Sequence, residues 1–243
     1  MLQRQKFITP NNTKIYAVGD IHGRFDLLCQ LLDLIVYDRQ LHDNQNHLVI
    51  FLGDYIDRGC DSYRVVEELS SRTLDETEII CLKGNHEAWL LQFLANPAIG
   101  SQWFQYGGLD TLESYGVKVS DSSHNQRDFK EIRDALILNL PKSHLKFFQS
   151  LTYFQILGNY LFVHAGIKPG VELENQKLED FIWIRKEFTE SDADHDHMVV
   201  HGHTIYDRPE IRHNRIGIDT GAYYTNTLTC LVLSGDNRYF IQT

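Results

Sequence analysis

The sequence predicts an α/β fold, with a mostly parallel sheet covered by helices. Two observations predict it. Short apolar runs alternate with helically spaced segments through the first half of the chain, in the order β-α-β-α-β-α. That order is what parallel strands joined by crossover helices produce. In addition, five clusters of Gly, Asp, Asn and His each stand just beyond a short apolar run. Open α/β folds gather their sites there, past the carboxyl ends of the strands.

Each element follows from its own pattern. Ile15–Val18 is apolar and ends at Gly19, so it reads as a strand. Leu27, Leu28, Leu31, Leu32 and Ile35 recur at helical spacing and predict a helix over Phe25–Tyr37. Leu48–Leu52 reads as a buried strand, Tyr63–Leu69 as a helix, Ile79–Leu82 as a strand, and Glu87–Leu94 as a helix stopped before Pro97. The middle of the chain is helical, over Gly108–Tyr115, Phe129–Leu138 and from Pro141 to about Leu151. The last third turns to strands: Thr152–Leu157, Tyr160–Val163, Met198–Val200, Ile211–Ile218, Thr227–Leu233 and Arg238–Ile241, with a helix over Leu178–Arg185. Gly158-Asn159 and Gly235-Asp236-Asn237 carry hairpin-turn chemistry.

No linker divides the 243 residues, so one domain over 1–243 is expected, with a core large enough to need no disulfides. The longest apolar run, Leu48–Leu52, is five residues, far short of a membrane helix. The segment Met1–Lys14 is polar and lacks a signal core. Cys29, Cys60, Cys81 and Cys230 are scattered singly, which fits a reducing compartment. A cytoplasmic protein with no membrane partner is therefore expected. With 33 Asp+Glu against 23 Lys+Arg the net charge is −10, which disfavours nucleic acid as a partner.

The five clusters are Gly19-Asp20-Ile21-His22-Gly23, Gly53-Asp54-Tyr55-Ile56-Asp57-Arg58-Gly59, Gly84-Asn85-His86-Glu87, His164-Ala165-Gly166 and Gly202-His203-Thr204. Their Asp, Asn and His side chains offer oxygen and nitrogen ligands without a thiolate, a set suited to Mn, Fe, Zn, Ni or Co. Asp20, His22, Asp54, Asn85, His164 and His203 are six ligands, too many for one ion. Two ions sharing a carboxylate fit better, and such a pair, ~3.5–4 Å apart, suits phosphoryl transfer. Asp57, Arg58 and His86 are left beside them. An arginine can fork two phosphate oxygens, and a histidine beside a carboxylate can act as a general acid.

Gly-Asp-x-His-Gly, Gly-Asp-x-x-Asp-Arg-Gly and Gly-Asn-His-Glu, in this order, resemble the signature of the PPP-type serine/threonine phosphatases of the calcineurin-like metallophosphoesterase superfamily. The compact bacterial and phage members, such as lambda phosphatase, are the nearest look-alikes. The resemblance runs from about Lys14 to Leu233 and implies a central β-sandwich of mixed sheets flanked by helices. It also implies roles. Asp20 and His22 would bind one metal, Asp54 would bridge both, and Asn85, His164 and His203 would complete the second. Arg58 would hold the substrate phosphate, with Arg185 of Trp183-Ile184-Arg185 as a second phosphate-binding arginine. His86 would protonate the leaving group and Asp57 would orient His86. The cofactors implied are two divalent ions, Mn first. The reaction implied is direct attack by a water activated between them, with no phosphoenzyme.

The activity expected on this resemblance is hydrolysis of phosphoserine and phosphothreonine in proteins, or of small phosphate esters. The alternative is hydrolysis of diadenosine tetraphosphate or another nucleotide. That branch shares the metal motifs but tends to carry Gly-Asn-His-Asp and to lack the aspartate before Arg-Gly. Asp57 and Glu87 therefore favour the protein phosphatase branch. The remaining polar residues read blandly. His201 is expected in the core, Asp192–His197 as a solvated acidic loop, Glu87 as a helix-start residue, and Arg24 and Arg208 as surface charge. No Cys-x5-Arg and no Gly-x4-Gly-Lys loop occurs, so thiolate phosphatase and P-loop chemistry are excluded.

Overall fold

The computed structural model describes residues 7–41, 45–71, 77–119 and 126–243. The polar start Met1–Lys6 lies outside the described residues. The strands are β1 (Thr13–Val18), β2 (Asn46–Phe51), β3 (Thr77–Cys81), β4 (Phe154–Leu157), β5 (Tyr160–Val163), β6 (Met198–His201), β7 (Glu210–Ile211), β8 (Arg215–Gly217), β9 (Thr229–Ser234) and β10 (Asn237–Gln242). The helices are α1 (Phe25–Gln40), α2 (Ser62–Ser71), α3 (Asn85–Ala95), α4 (Gly100–Trp103), α5 (Gly108–Ser114), α6 (Gln126–Asn139), α7 (Lys142–Ser150), α8 (Leu178–Trp183), α9 (Lys186–Thr189) and α10 (Ala222–Thr225).

The strands form two five-stranded sheets, ordered β10-β9-β1-β2-β3 and β4-β5-β6-β8-β7. Both are mixed. β1, β2 and β3 run parallel, and β9 and β10 add antiparallel at the β1 edge. β5, β6 and β8 run parallel, with β4 and β7 antiparallel at the edges.

The strand period of two sorts the core into layers. Ile15, Ala17, Leu48 and Ile50 point from the first sheet onto Tyr160, Phe162, Met198, Val200 and Ile216 of the second, so the sheets form a sandwich. Tyr16, Val18, Val49 and Phe51 point the other way, onto Leu28, Leu31 and Ile35 of α1 and Val65 and Val66 of α2. On the far side Leu161, Val163 and Val199 meet Phe181 and Ile182 of α8 and Phe188 of α9. Each such side chain is nearly or fully buried, a gain of roughly 1.5–3 kcal/mol apiece. The fold is the helix-flanked β-sandwich that the motif resemblance implies.

One buried charge pair ties the first sheet to its covering helix. Lys14, 1% exposed, meets Asp38 of α1 at 2.6 Å. Tyr16 and Tyr239 both donate hydroxyl hydrogen bonds to the same carboxylate at 2.7 Å.

Most element ends lie within three residues of the sequence expectation, and two differences stand out. The run Ile211–Ile218 is a hairpin, because Arg212, His213 and Asn214 turn the chain and Arg212 N–H donates to Arg215 O at 2.9 Å. The helix expected over Leu178–Arg185 ends at Trp183, and Arg185 sits in non-helical backbone at φ −131°, ψ −109°. Among the described residues no helix is long and apolar enough to cross a membrane.

Candidate metal centre

Parallel β1, β2 and β3 end on one edge of their sheet, and β5, β6 and β8 end together on theirs. The loops that leave these ends meet. His22 N–H donates to Asp54 O at 2.9 Å, Gly202 N–H to His164 O at 2.8 Å, and His203 N–H to the Asp20 carboxylate at 3.1 Å. The six residues assigned as ligands, Asp20, His22, Asp54, Asn85, His164 and His203, are thereby brought together. None is more than 5% exposed.

Asp54 is the centre of the arrangement. Its two oxygens lie 3.5 Å from His22 Nε2 and 3.4 Å from His164 Nε2. Two sets of ligand atoms each fall within 4.8 Å of one another: His22, Asp54 and His86, and Asp54, His164 and His203. Asp54 belongs to both, as a bridging carboxylate must. Asn85 Oδ1 joins the second set, 3.0 Å from His164 Nε2. Asp20 lies beside the sets rather than in them, its carboxylate taking the His203 N–H.

The chemistry of this donor set fits metal ions. His22 Nδ1 faces Ile56 O at 2.9 Å and His164 Nδ1 faces Leu52 O at 3.0 Å. Each carbonyl takes the ring N–H, which fixes the tautomer and leaves the Nε2 lone pair pointing inward, the usual dress of a metal-bound histidine. His164 Nε2 then faces His203 Nδ1 at 3.2 Å, and His203 Nε2 is buried without a partner. Burial, with help from His86, pushes the His22 imidazole well below its ordinary pKa. Burial, with His164 and Arg185, does the same to His203. Both are therefore neutral, the form that ligates. Converging lone pairs of this kind are what two cations would satisfy.

His86, a member of the first set, is also paired with Asp57. His86 Nδ1 lies 2.6 Å from Asp57 Oδ2. Asp57 is fully buried, and Trp103 Nε1 at 2.7 Å and Thr111 Oγ1 at 2.5 Å also donate to its carboxylate. Burial alone would lower the His86 pKa, but the Asp54 and Asp57 carboxylates outweigh it and hold it above the ordinary value. Arg58 reaches to 3.4 Å from His86 Nε2, with its guanidinium 4.8 Å from the Tyr223 ring centre. Arg185 is exposed and donates to His203 O at 3.2 Å, which places its charge at the second set.

The backbone here is held against its preference. His22, Asp54, Asp57, Arg58 and His203 all have positive φ, between 46° and 72°, a region that glycine enters freely, that Asp and His tolerate better than most residues, and that costs Arg58 most. Glu87 explains part of the restraint. Fully buried in α3, its carboxylate accepts the N–H groups of Gly84, Asp54 and Tyr55 at 2.8 to 3.0 Å. It therefore locks the β2 loop to the start of α3. A Cβ at Gly84 would collide with the Asp54 carboxylate, and one at Gly202 with that of Asp20.

Sequence reasoning passed over Asp219. It is buried against Asp20, and its Oδ1 accepts Gly221 N–H at 2.9 Å. Burial and nearby carboxylates raise the pKa of both Asp20 and Asp219, the latter to about 6, a balance that bound cations would reverse. Its signal was available: Ile216 and Ile218 followed by Asp219-Thr220-Gly221 repeat the strand-then-Asp-Gly pattern of the other clusters. Arg24 is more than surface charge. It donates to Ala222 O at 2.9 Å and Asn226 Oδ1 at 2.7 Å, clamping the turn that carries Tyr223. His201 is buried against Phe188 and Tyr206, its Nδ1 facing Gly202 O. Arg208 is exposed, away from these groups. Among the described residues, neither set of converging ligands includes Asp192–His197.

A sandwich whose strand ends gather two His/Asp ligand sets around one shared aspartate defines a metal-dependent phosphoesterase. A family profile agrees: residues 13–227 match the calcineurin-like phosphoesterases, and the chain belongs to that family. Bis(5'-nucleosyl)-tetraphosphatase PrpE [asymmetrical] of Anoxybacillus flavithermus is 25% identical over 235 residues, covering 88% of each chain. Serine/threonine-protein phosphatase 2 of Escherichia coli is 27% identical over 229 residues, covering 90% of this chain and 92% of the relative. Among solved structures, the cold-active protein-tyrosine phosphatase of a psychrophilic Shewanella superposes with a TM-score of 0.58 at 17% identity. That match covers 97% of this chain and 83% of the other, and it supports the fold.

Proposed function

We propose that this chain hydrolyses a phosphoanhydride or phosphate ester carrying a nucleoside, with diadenosine tetraphosphate as the representative substrate. The observation that carries the chemistry is Asp54 shared between the two buried ligand sets, with Arg58 beside them and His86, itself in the first set, bound to Asp57. Asp20, His22, Asp54, Asn85, His164 and His203 would hold the two ions, which when bound supply charge neutralisation and an acidified water. Arg58 and Arg185 orient and neutralise the phosphate. His86 Nε2 gives its proton to the departing oxygen, and Asp57 fixes the ring and offsets its charge.

The choice of substrate class rests on two supports. PrpE tetraphosphatases align with this chain over nearly their whole length. Of the two sequence features that favoured phosphoproteins, Asp57 still speaks for that branch, whereas Glu87 takes four backbone N–H groups and is fully buried. Its identity therefore reports loop scaffolding rather than substrate. Phosphoserine and phosphothreonine hydrolysis is the second reading, favoured by the similarity to the Escherichia coli phosphatase. A parallel assay with Mn added decides between them, using diadenosine tetraphosphate, phosphoserine and phosphotyrosine peptides and para-nitrophenyl phosphate. Turnover of the dinucleotide at the highest kcat/KM is expected, and exclusive turnover of a phosphopeptide would overturn the assignment.

A further inference from the structure

On the His86 side of the metal centre a run of aromatic rings leads outward to the surface. Trp89 lies one helical turn after His86 in α3, with ring centres 5.3 Å apart, edge to face. Tyr106 stacks on Trp89 at 4.7 Å with only 29° between the planes. Trp183 meets Trp89 edge-on at 4.7 Å and reaches His203 at 6.5 Å. Trp89 is 5% exposed, covered by its neighbours, whereas Tyr106 is 48% exposed. The turn that carries Tyr106 is tied to the phosphate side, since Gly107 O accepts Arg58 N–H at 3.3 Å. A rigid, backed aromatic face thus stands open a second ring-step out from His86.

We propose that Tyr106, backed by Trp89 and flanked by Trp183, is a stacking subsite for the nucleobase on the leaving-group side of the scissile phosphate. The inference rests on the nucleotide reading given above. Three physical points carry it. The strip adjoins the residue that protonates the leaving group, so what it touches is the leaving group. Its accessible ring is already stacked on a second ring, so little ordering entropy is lost when a base adds to it. In a dinucleotide the base is held off from the departing anhydride oxygen by a phosphate and a ribose, which matches an open ring two ring-steps out from His86, whereas the ring of an aryl phosphate is bonded directly to the ester oxygen. Every base has a π-face, so the subsite would select for a base without choosing strongly among bases.

The test compares binding of AMP with ribose 5-phosphate to the Mn-loaded enzyme, by calorimetry and tryptophan fluorescence, in wild type, Tyr106→Ala and Tyr106→Phe. AMP should bind about tenfold more tightly than ribose 5-phosphate to wild type, with quenching of tryptophan emission. Tyr106→Phe should keep that preference and Tyr106→Ala should reduce it to within about twofold. Equal binding of the two ligands to wild type overturns the subsite, as does a preference that survives in Tyr106→Ala. Phenyl phosphate binding as tightly as AMP, with the same dependence on Tyr106, would overturn the nucleobase in favour of a simple aryl group. Turnover of diadenosine tetraphosphate is scored separately. An AMP preference without dinucleotide turnover retains the subsite and removes the substrate reading. Turnover with an unaltered AMP preference in Tyr106→Ala does the reverse.

Discussion

His86 Nδ1 lies 2.6 Å from Asp57 Oδ2, and that oxygen also receives the Trp103 indole N–H at 2.7 Å. The pair is therefore fixed from behind, and His86 presents Nε2 to the Arg58 guanidinium and to the pocket. Asp57→Asn should lower kcat about 10²- to 10⁴-fold on substrates with poor leaving groups, and much less on para-nitrophenyl phosphate. Metal content, measured by atomic absorption, should not change. An equal loss on both kinds of substrate would remove the orienting role.

Asp54 stands in both ligand sets. Asp54→Asn should therefore lose bound metal as well as activity, because a neutral amide bridges two cations poorly. Metal stoichiometry after gel filtration checks this directly, and an unchanged value of two ions would show that Asp54 is not the bridge.

Lys14 and Asp38 are a buried pair far from the chemistry. Asp38→Asn leaves the Lys14 ammonium buried without its counter-charge, so stability to urea should fall by about 3–5 kcal/mol. Burial alone would raise the Asp38 carboxyl, but Lys14, Tyr239 and Tyr16 hold it below its ordinary value. A depressed folded-state pKa stabilises above the unfolded value of 3.8 and is lost as pH falls through the folded one. The difference between wild type and variant should thus be full near neutrality and shrink below that pH, as urea titrations across pH would show.

Arg58 has φ +69°. Arg58→Gly and Arg58→Ala both delete the proposed phosphate contact and should both lower kcat/KM. Their stabilities should differ, with glycine the more stable by about 1 kcal/mol. Thermal melts of the two variants give the comparison directly. If alanine is equal or better, the left-handed backbone is not costly there.

Much of the site was legible because its residues are contiguous with strand ends. Asp20, His22, Asp54, His164 and His203 each follow an apolar run, and the sheet edge then brings them together without further information. What failed to show was anything supplied from another element's flank. Trp103 and Thr111 support Asp57 from α4 and α5, yet nothing local marks them as different from core residues. Arg24 looked like surface charge because its partners, Ala222 and Asn226, lie almost at the other end of the chain. The hairpin within Ile211–Ile218 was hidden because Ile211, Ile216 and Ile218 are all strand formers and only Arg212, His213 and Asn214 turn the chain. The second sheet was equally hidden in the first-half alternation, which shows β1, β2 and β3 but not what closes over them.

The left-handed residues of the catalytic loops have a consequence for laboratory evolution. At His22, Asp54, Asp57, Arg58 and His203 the side chain that the proposed chemistry needs sits where glycine would carry the backbone more easily. A library selected for heat resistance alone would drift toward glycine at these places and arrive at a sturdier, inert protein. A library selected for turnover would hold the five residues and gather its stabilising changes elsewhere, in the sandwich and on the outer helices.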